Sequence, residues 1–199
     1  MVSTLKKSNV ETLFLTVPPY ALAVFTTFLN SLHADRTGER FFHIVIPLCF
    51  GLLAFIIAAA TTSFGPRYFA MMLMPAGCYT GYVVGLAWIS NTLPRPPAKR
   101  AAALAMINAV SNATSIYVSY MYLDKYSPRF IPAMCVNAAT ILIAMACAFT
   151  LRVILKRLNR RLEAGGVVDG ISVQDQGVEN LQAGGGTPEQ KRHGFRYLV

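Results

Sequence analysis

Five long stretches of the chain contain no Asp, Glu, Lys or Arg, and they constrain its fold more than any other feature. Each is close to the ~20 residues that an α-helix needs to cross the hydrocarbon core of a bilayer. The stretches cover residues 13–32, 42–64, 68–93, 101–123 and 130–151. Because the polar intervals between them are short, the sequence predicts five membrane-spanning helices in which chain neighbours run antiparallel.

The composition also favours a membrane protein. Of the 199 residues, 54% are hydrophobic and 14% are charged, whereas charged residues make up ~25% of a typical soluble domain. We therefore expect an all-α membrane protein with an extracellular segment 1–12, a five-helix domain 13–163 and a disordered cytoplasmic tail 164–199 rich in glycine and polar residues. The helices predicted within the domain cover residues 13–32, 42–64, 68–93, 101–123 and 130–155.

The net charge of +9 does not indicate a nucleic-acid partner. The basic residues lie at the ends of apolar stretches and form no stripe with interleaved aromatic residues. They concentrate in the first and third intervals and after the last stretch, so these parts, including the C-terminus, are predicted to be cytoplasmic. The last cluster either binds anionic lipid or only anchors the helix. Its members are Arg152, Lys156, Arg157, Arg160 and Arg161.

Small residues recur along the third stretch. Gly77, Gly81 and Gly85 are spaced four residues apart, which places them on one side of a helix and predicts a face for close helix packing. Three aromatic residues flank this face and either line a cavity or pack in the core. They are Tyr79, Tyr82 and Trp88.

The fourth stretch carries a polar stripe. Asn108, Asn112, Ser115 and Ser119 follow helical spacing on a segment that has no charge. Buried amides need partners, so the stripe either bonds to neighbouring helices or faces a water-filled path, and we favour the path. The second stretch has small residues but no Asn, Gln, Tyr or Trp between positions 45 and 60, which favours a peripheral position for it.

Signs of an enzyme or a metal protein are weak. The apolar stretches hold no carboxylate pair, and the chain has neither a Gly-x-Ser-x-Gly nor a His-Glu-x-x-His motif. His33 and His43 flank the first interval without an evident catalytic partner. All four cysteines lie in apolar stretches with no Cys-x-x-Cys spacing. We therefore predict no enzyme activity, no cofactor and no metal.

The first polar interval, residues 31–41 with the sequence SLHADRTGERF, concentrates charge in a short hairpin. It resembles the G-x-x-x-D-R-x-G-R-R motif of the major facilitator superfamily, with Asp35, Arg36, Gly38 and Arg40 in register. Ser31 and Glu39 depart from that motif. An acidic side chain near a helix start, paired with arginine, can latch helices that rock against each other, whereas a solvated turn would serve only to orient the chain.

Further matches follow in order along the chain, and together they resemble the allantoate-permease-like, anion:cation symporter branch of that superfamily. They lie at residues 15–20, at residues 88–91, at residues 98–100 followed by Asn108 and Asn112, and at residues 127–130. The resemblance implies that the five helices correspond to the eighth through twelfth of a twelve-helix transporter. It also implies that the first, third and fourth line the central cavity.

The function implied by this resemblance is proton-coupled transport of a small organic anion, such as a vitamin-like or ureide carboxylate, across the plasma membrane. The chain would then be a C-terminal fragment, and the missing N-terminal half would supply the positive partner of the anion. Candidate substrate contacts are Asn108, Asn112, Tyr82, Tyr79, Trp88 and Asn30. The alternative is a short membrane protein that does not transport and instead pairs with a complete transporter through the Gly77, Gly81 and Gly85 face.

Overall fold

The computed structural model describes residues 13–93, 97–123, 126 and 129–163, and this part of the chain is helical without any strand. Its five long helices are α1 (Val17–Thr37), α2 (Phe41–Ala60), α3 (Phe64–Thr92), α4 (Pro97–Met121) and α5 (Ile131–Glu163). The prediction of an all-α protein with five long helices is confirmed. The segments 1–12 and 164–199, for which an extracellular position and a disordered tail were predicted, lie outside the described residues.

The corner between α1 and α2 is tighter than predicted. Most of the charged interval 31–41 was expected to be loop, but α1 continues to Thr37, whose hydroxyl donates to the His33 carbonyl over 2.9 Å. Gly38 ends the helix with a left-handed φ of 71°, and its N–H donates to the Ala34 carbonyl over 3.0 Å. This glycine cap allows an abrupt stop, so the loop consists of residues 38–40 alone.

The second turn also differs from the prediction. Residues 65–67 were expected to form the turn between the second and third helices, but they lie in the first turn of α3, which begins at Phe64. Pro66 is tolerated there because a proline in the first helical turn removes no intrahelical hydrogen bond. Arg67 is consequently helical and buried. The connection is residues 61–63, where the Ser63 N–H donates to the Thr61 hydroxyl over 3.2 Å.

The second helix lies at the centre of the packing. α2 packs most extensively on α3 and also on α5, while α1 packs on α3. Within the packing of the described helices α2 is thus central, and its predicted position outside a cavity stays a prediction. Its small residues allow close approach on one side, and the apolar side chains between them fill the core. The buried core of α2 consists of Phe41, Ile44, Leu48, Ala54, Phe55 and Ala58.

Helix α4 stands apart from the rest. It has few contacts with α3, and no residue of its apolar span is buried by the described part of the chain. Because the described helices bury none of this span, most of its surface is available to lipid, to water or to further protein.

Four of the described helices are long and apolar enough to cross a membrane. The spans are Phe41–Ala60, Phe64–Thr92, Ala98–Val118 and Ile131–Arg161. The first predicted span is less apolar than these, because α1 includes Thr26, Thr27, Asn30, Ser31 and His33. Its outer side nevertheless exposes large apolar side chains at helical spacing. These are Val17, Val24, Phe25, Phe28 and Leu32.

Candidate functional site: a polar patch on α3 and α4

A hydrogen bond joins the two helices that the sequence marked as polar. The Tyr82 hydroxyl of α3 donates to Oδ1 of Asn108 on α4 over 3.0 Å, at an exposed position. Both residues lie in stretches without a charged residue, 68–93 and 101–123. Since α4 has few other contacts with α3, this bond is a principal polar link between the two helices.

The amide of Asn112 extends the polar surface along α4. Its Nδ2 donates to the Asn108 carbonyl of the preceding turn over 2.8 Å, and the residue remains exposed. Ser115 lies one turn further on the same side and is also exposed. The side chain of Ser119, the last member of the predicted stripe, lies outside the described residues. Tyr82, Asn108 and Asn112 are called the polar patch below.

The other predicted substrate contacts do not all join the polar patch. Tyr79 is 52% exposed and lies one helical turn from Tyr82, so it extends the same surface. Trp88 is only 2% exposed and packs in the apolar core. Asn30 is half-buried, and its Nδ2 donates to the His43 carbonyl over 2.9 Å, which ties α1 to α2. The Trp88 side chain thus belongs to the core, and the Asn30 amide is engaged with α2.

The polar patch can donate and accept hydrogen bonds but carries no charge. A phenol and two carboxamides offer both kinds of group to a polar solute or to water. A bound carboxylate would need a positive partner as well, and the sequence has no Lys or Arg between positions 101 and 123. The patch alone is therefore suited to orienting a polar solute, with charge recognition left to other groups.

The hairpin motif forms an ion pair within its own corner. Oδ1 of Asp35 lies 2.6 Å from an Arg40 terminal nitrogen, and the two side chains are 61% and 7% exposed. Asp35 lies in the last turns of α1, and its predicted role as a latch onto the start of a different helix stays a prediction. The negative end of the α1 dipole disfavours a carboxylate, and Arg40 offsets this effect. Arg36 is exposed in the last turn of α1.

The three glycines of α3 have different surroundings. A Cβ atom at Gly77 would lie 2.5 Å from the Pro47 carbonyl oxygen and 2.8 Å from the Gly51 nitrogen, so the backbones of α2 and α3 meet there. One at Gly81 would lie 3.0 Å from Leu48 Cγ. One at Gly85 would have no neighbour within 4 Å among the described residues. Helix α2 thus covers the face at Gly77 and Gly81 but not at Gly85.

Several contacts between segments distant in the sequence were not anticipated from the sequence. The hydroxyls of Thr27 and Thr80 lie 3.0 Å apart between α1 and α3, and Nδ2 of Asn137 donates to the Tyr122 hydroxyl over 3.1 Å. The Arg152 guanidinium carbon lies 4.4 Å from the centroid of the Phe41 ring. Threonine and tyrosine are common in apolar helices, so no local pattern distinguishes those that face a neighbour. Knowledge of which helices pack together would have been needed.

Comparison with known proteins identifies transporters as relatives. The chain is 24% identical over 161 residues to an uncharacterised transporter of Schizosaccharomyces pombe, covering 79% of this chain and 32% of that protein. It is 29% identical over 141 residues to the MFS-type transporter efuF of Hormonema carpetanum, covering 69% and 28%. A second uncharacterised S. pombe transporter is 30% identical over 115 residues, covering 58% and 24%.

The chain thus spans about a third or less of the length of these relatives. No family model matches it, and no solved structure does so either. Its apolar helices and its transporter relatives together define an integral membrane protein related to transporters, and one of these relatives is described as being of the MFS type. The named relatives are transporters and not enzymes.

Proposed function

We propose that the chain forms part of the wall of a transport path for a small organic anion, with the polar patch in contact with the solute. The observation that carries this proposal is the exposed Tyr82–Asn108 hydrogen bond on two otherwise apolar spans. An amide that faces hydrocarbon without a full set of partners costs free energy, so such groups in spanning helices mark polar paths or helix contacts.

Packing within the chain favours the path over the contact. An amide that serves as glue between helices should lie in a tight interface, whereas α4 is barely covered by its neighbours and Asn108 and Asn112 stay exposed. The transporter relatives support the same choice. In the anion:cation symporter branch that the sequence resembles, the corresponding helices border the central cavity.

The anion and its coupling to protons follow from that resemblance. A carboxylate needs a cation. Helices of a longer natural protein, of a partner chain or of a second copy would have to supply it. The charged α1–α2 corner would then act during rocker-switch motion at the cytoplasmic side of a plasma-membrane protein. The correspondence of α1 to α5 with the eighth through twelfth transporter helices is part of this proposal.

The alternative is a short interaction protein that pairs with a transporter through the three-glycine face, but most of that face is already covered. Gly77 and Gly81 already pack against α2 of the same chain. Such a protein would have to use another face, for which α4 is the obvious choice because it is so little covered.

The test is uptake of a panel of labelled small carboxylates by cells that express the longest natural protein containing this sequence. We expect Asn112→Ala to raise the KM several-fold, because loss of one uncharged hydrogen bond is worth ~1 kcal/mol. Thr140→Ala is the matched control, since within the described part of the chain that exposed hydroxyl on α5 bonds only to the Val136 carbonyl of its own helix. Surface levels are compared in parallel. Equal KM and rate in Asn112→Ala and parent would remove Asn112 from the path.

A further inference from the structure

Two histidines that are separated by ten residues in the sequence face each other across the α1–α2 corner. Nδ1 of His33 lies 2.6 Å from Nε2 of His43 at an exposed position. The ring centroids are 4.9 Å apart, and the ring planes make an angle of 45°. The glycine cap at Gly38 and the three-residue connection produce this geometry, because they bring the end of α1 directly against the first turn of α2.

The corner holds the His43 ring in position. The Asn30 amide of α1 donates to the carbonyl of His43 itself, which fixes the backbone that carries the second ring. Nδ1 of His43 is buried and has no hydrogen-bond partner among the described residues, so Nε2 is the ring nitrogen that a ligand from solvent can reach. That atom already points at the exposed His33 ring.

Paired imidazole nitrogens are suited to binding a metal. Neutral imidazole is the side chain that most often binds Zn²⁺, Cu²⁺ and Ni²⁺. With Zn–N bonds of about 2.0–2.1 Å and a tetrahedral angle, two such nitrogens stand about 3.3 Å apart. Opening the present 2.6 Å separation to that value is a small movement, and the exposed His33 ring has room to make it.

We propose that His33 and His43 form a two-histidine site for a divalent transition-metal ion of the zinc type, and that the bound ion links α1 to α2. No third His, Cys, Asp or Glu completes a cluster within the described part of the chain, so water would occupy the remaining positions. Because α1 and α2 otherwise touch each other little, such a link would add substantially to the contact between them.

The site was not predicted because its ligands have no sequence spacing typical of metal proteins. On one continuous helix, two residues ten positions apart would be too far apart to bind the same ion. The two histidines become a pair only because α1 ends at Gly38 and α2 starts at Phe41.

The first experiment is calorimetric titration of the purified full chain with Zn²⁺ in lipid nanodiscs, after chelator treatment and alkylation of the four cysteines. The chain has three histidines, which provides a matched set: His33→Gln, His43→Gln and His193→Gln. We expect one ion per chain and affinity at least about tenfold lower in the first two variants, since even changes outside the ligand set can cost that much. His193→Gln should bind like the parent.

The second experiment needs no variant and so remains informative if a substitution impairs folding. Zn²⁺ should protect His33 and His43 of the parent protein from modification by diethylpyrocarbonate, read by mass spectrometry, while His193 reacts equally with and without metal. Undiminished Zn²⁺ affinity in His33→Gln would overturn the proposal. So would the absence of saturable binding by the parent, or protection confined to His193.

Discussion

At the scale of single residues, the two members of the Asp35–Arg40 ion pair differ in how much each is buried, and this difference decides what the pair contributes. Arg40 is almost fully buried while its partner remains largely exposed, and the two atoms lie 2.6 Å apart. An exposed ion pair contributes little to stability. A buried guanidinium that loses its carboxylate is left with an uncompensated charge, so the pair matters mainly through Arg40.

The first prediction follows from this asymmetry. Asp35→Asn in the longest natural protein containing the chain should change the transport rate several-fold while the membrane level stays near that of the parent. The reason is that Arg40 would seek another partner and shift the corner by a free energy of order 1 kcal/mol. Glu39→Gln is the control, because it removes an acidic charge from the same corner and leaves the Asp35–Arg40 pair in place. Identical rates for Asp35→Asn and parent would leave the corner as a topogenic turn.

At the scale of helices, the close crossing of α2 and α3 depends on glycines, which have no side chain to keep the two backbones apart. The Gly77 backbone meets the backbone at Pro47 and Gly51, and neither can move aside as a flexible side chain could. Close approach of this kind increases van der Waals contact, which is the main force holding helices together in lipid. The site at Gly85, two turns further along the same face, has no such contact.

A pair of glycine substitutions tests this difference. Gly77→Ala should force α2 and α3 apart and destabilise the domain by about 1–3 kcal/mol, as overpacking does. Gly85→Ala should be neutral or slightly stabilising, because alanine favours the helix and has open space there. The measurement is unfolding of the purified chain in mixed micelles with increasing denaturing detergent. If Gly77→Ala is as stable as Gly85→Ala, the close backbone crossing does not contribute to stability.

The helices themselves could be predicted from the sequence, whereas their ends and neighbours depended on tertiary structure. Uncharged runs of membrane length leave few alternatives to helix, which is why all five long helices were found. The predicted helix ends were wrong where a capping residue set the end and the charged composition did not. Helix α1, for example, continues through the charged residues Asp35 and Arg36 and ends at the Gly38 cap. Of the predicted substrate contacts, Tyr82 and Asn108 proved adjacent, but Trp88 is buried in the core. Periodicity in the sequence predicts which residues share one side of a helix. It does not predict which neighbouring helix packs on that side.

At the scale of the whole molecule, the described chain does not enclose its own polar patch. Helices α1, α2, α3 and α5 form a packed group around a common apolar core, whereas the α4 span contributes no buried residue to it. A transporter of the rocker-switch type holds its solute between two groups of helices near the middle of the membrane. In the function proposed above, the packed group together with α4 would form one side of such a site.

The last prediction is that the 199-residue chain, expressed alone, inserts into membranes but does not transport. Without a second group of helices, Asn108 and Asn112 would face lipid or another copy of the chain, and each amide left without a full set of partners carries a cost that a few helix contacts do not offset. We therefore expect self-association or degradation in cells. The decisive measurement is uptake of small carboxylates, driven by a proton gradient, into proteoliposomes that contain only this chain, with empty vesicles and Asn112→Ala vesicles as controls. Saturable uptake by the parent that Asn112→Ala weakens would contradict the prediction, and would mean that two copies of the chain can enclose a working path between their polar patches.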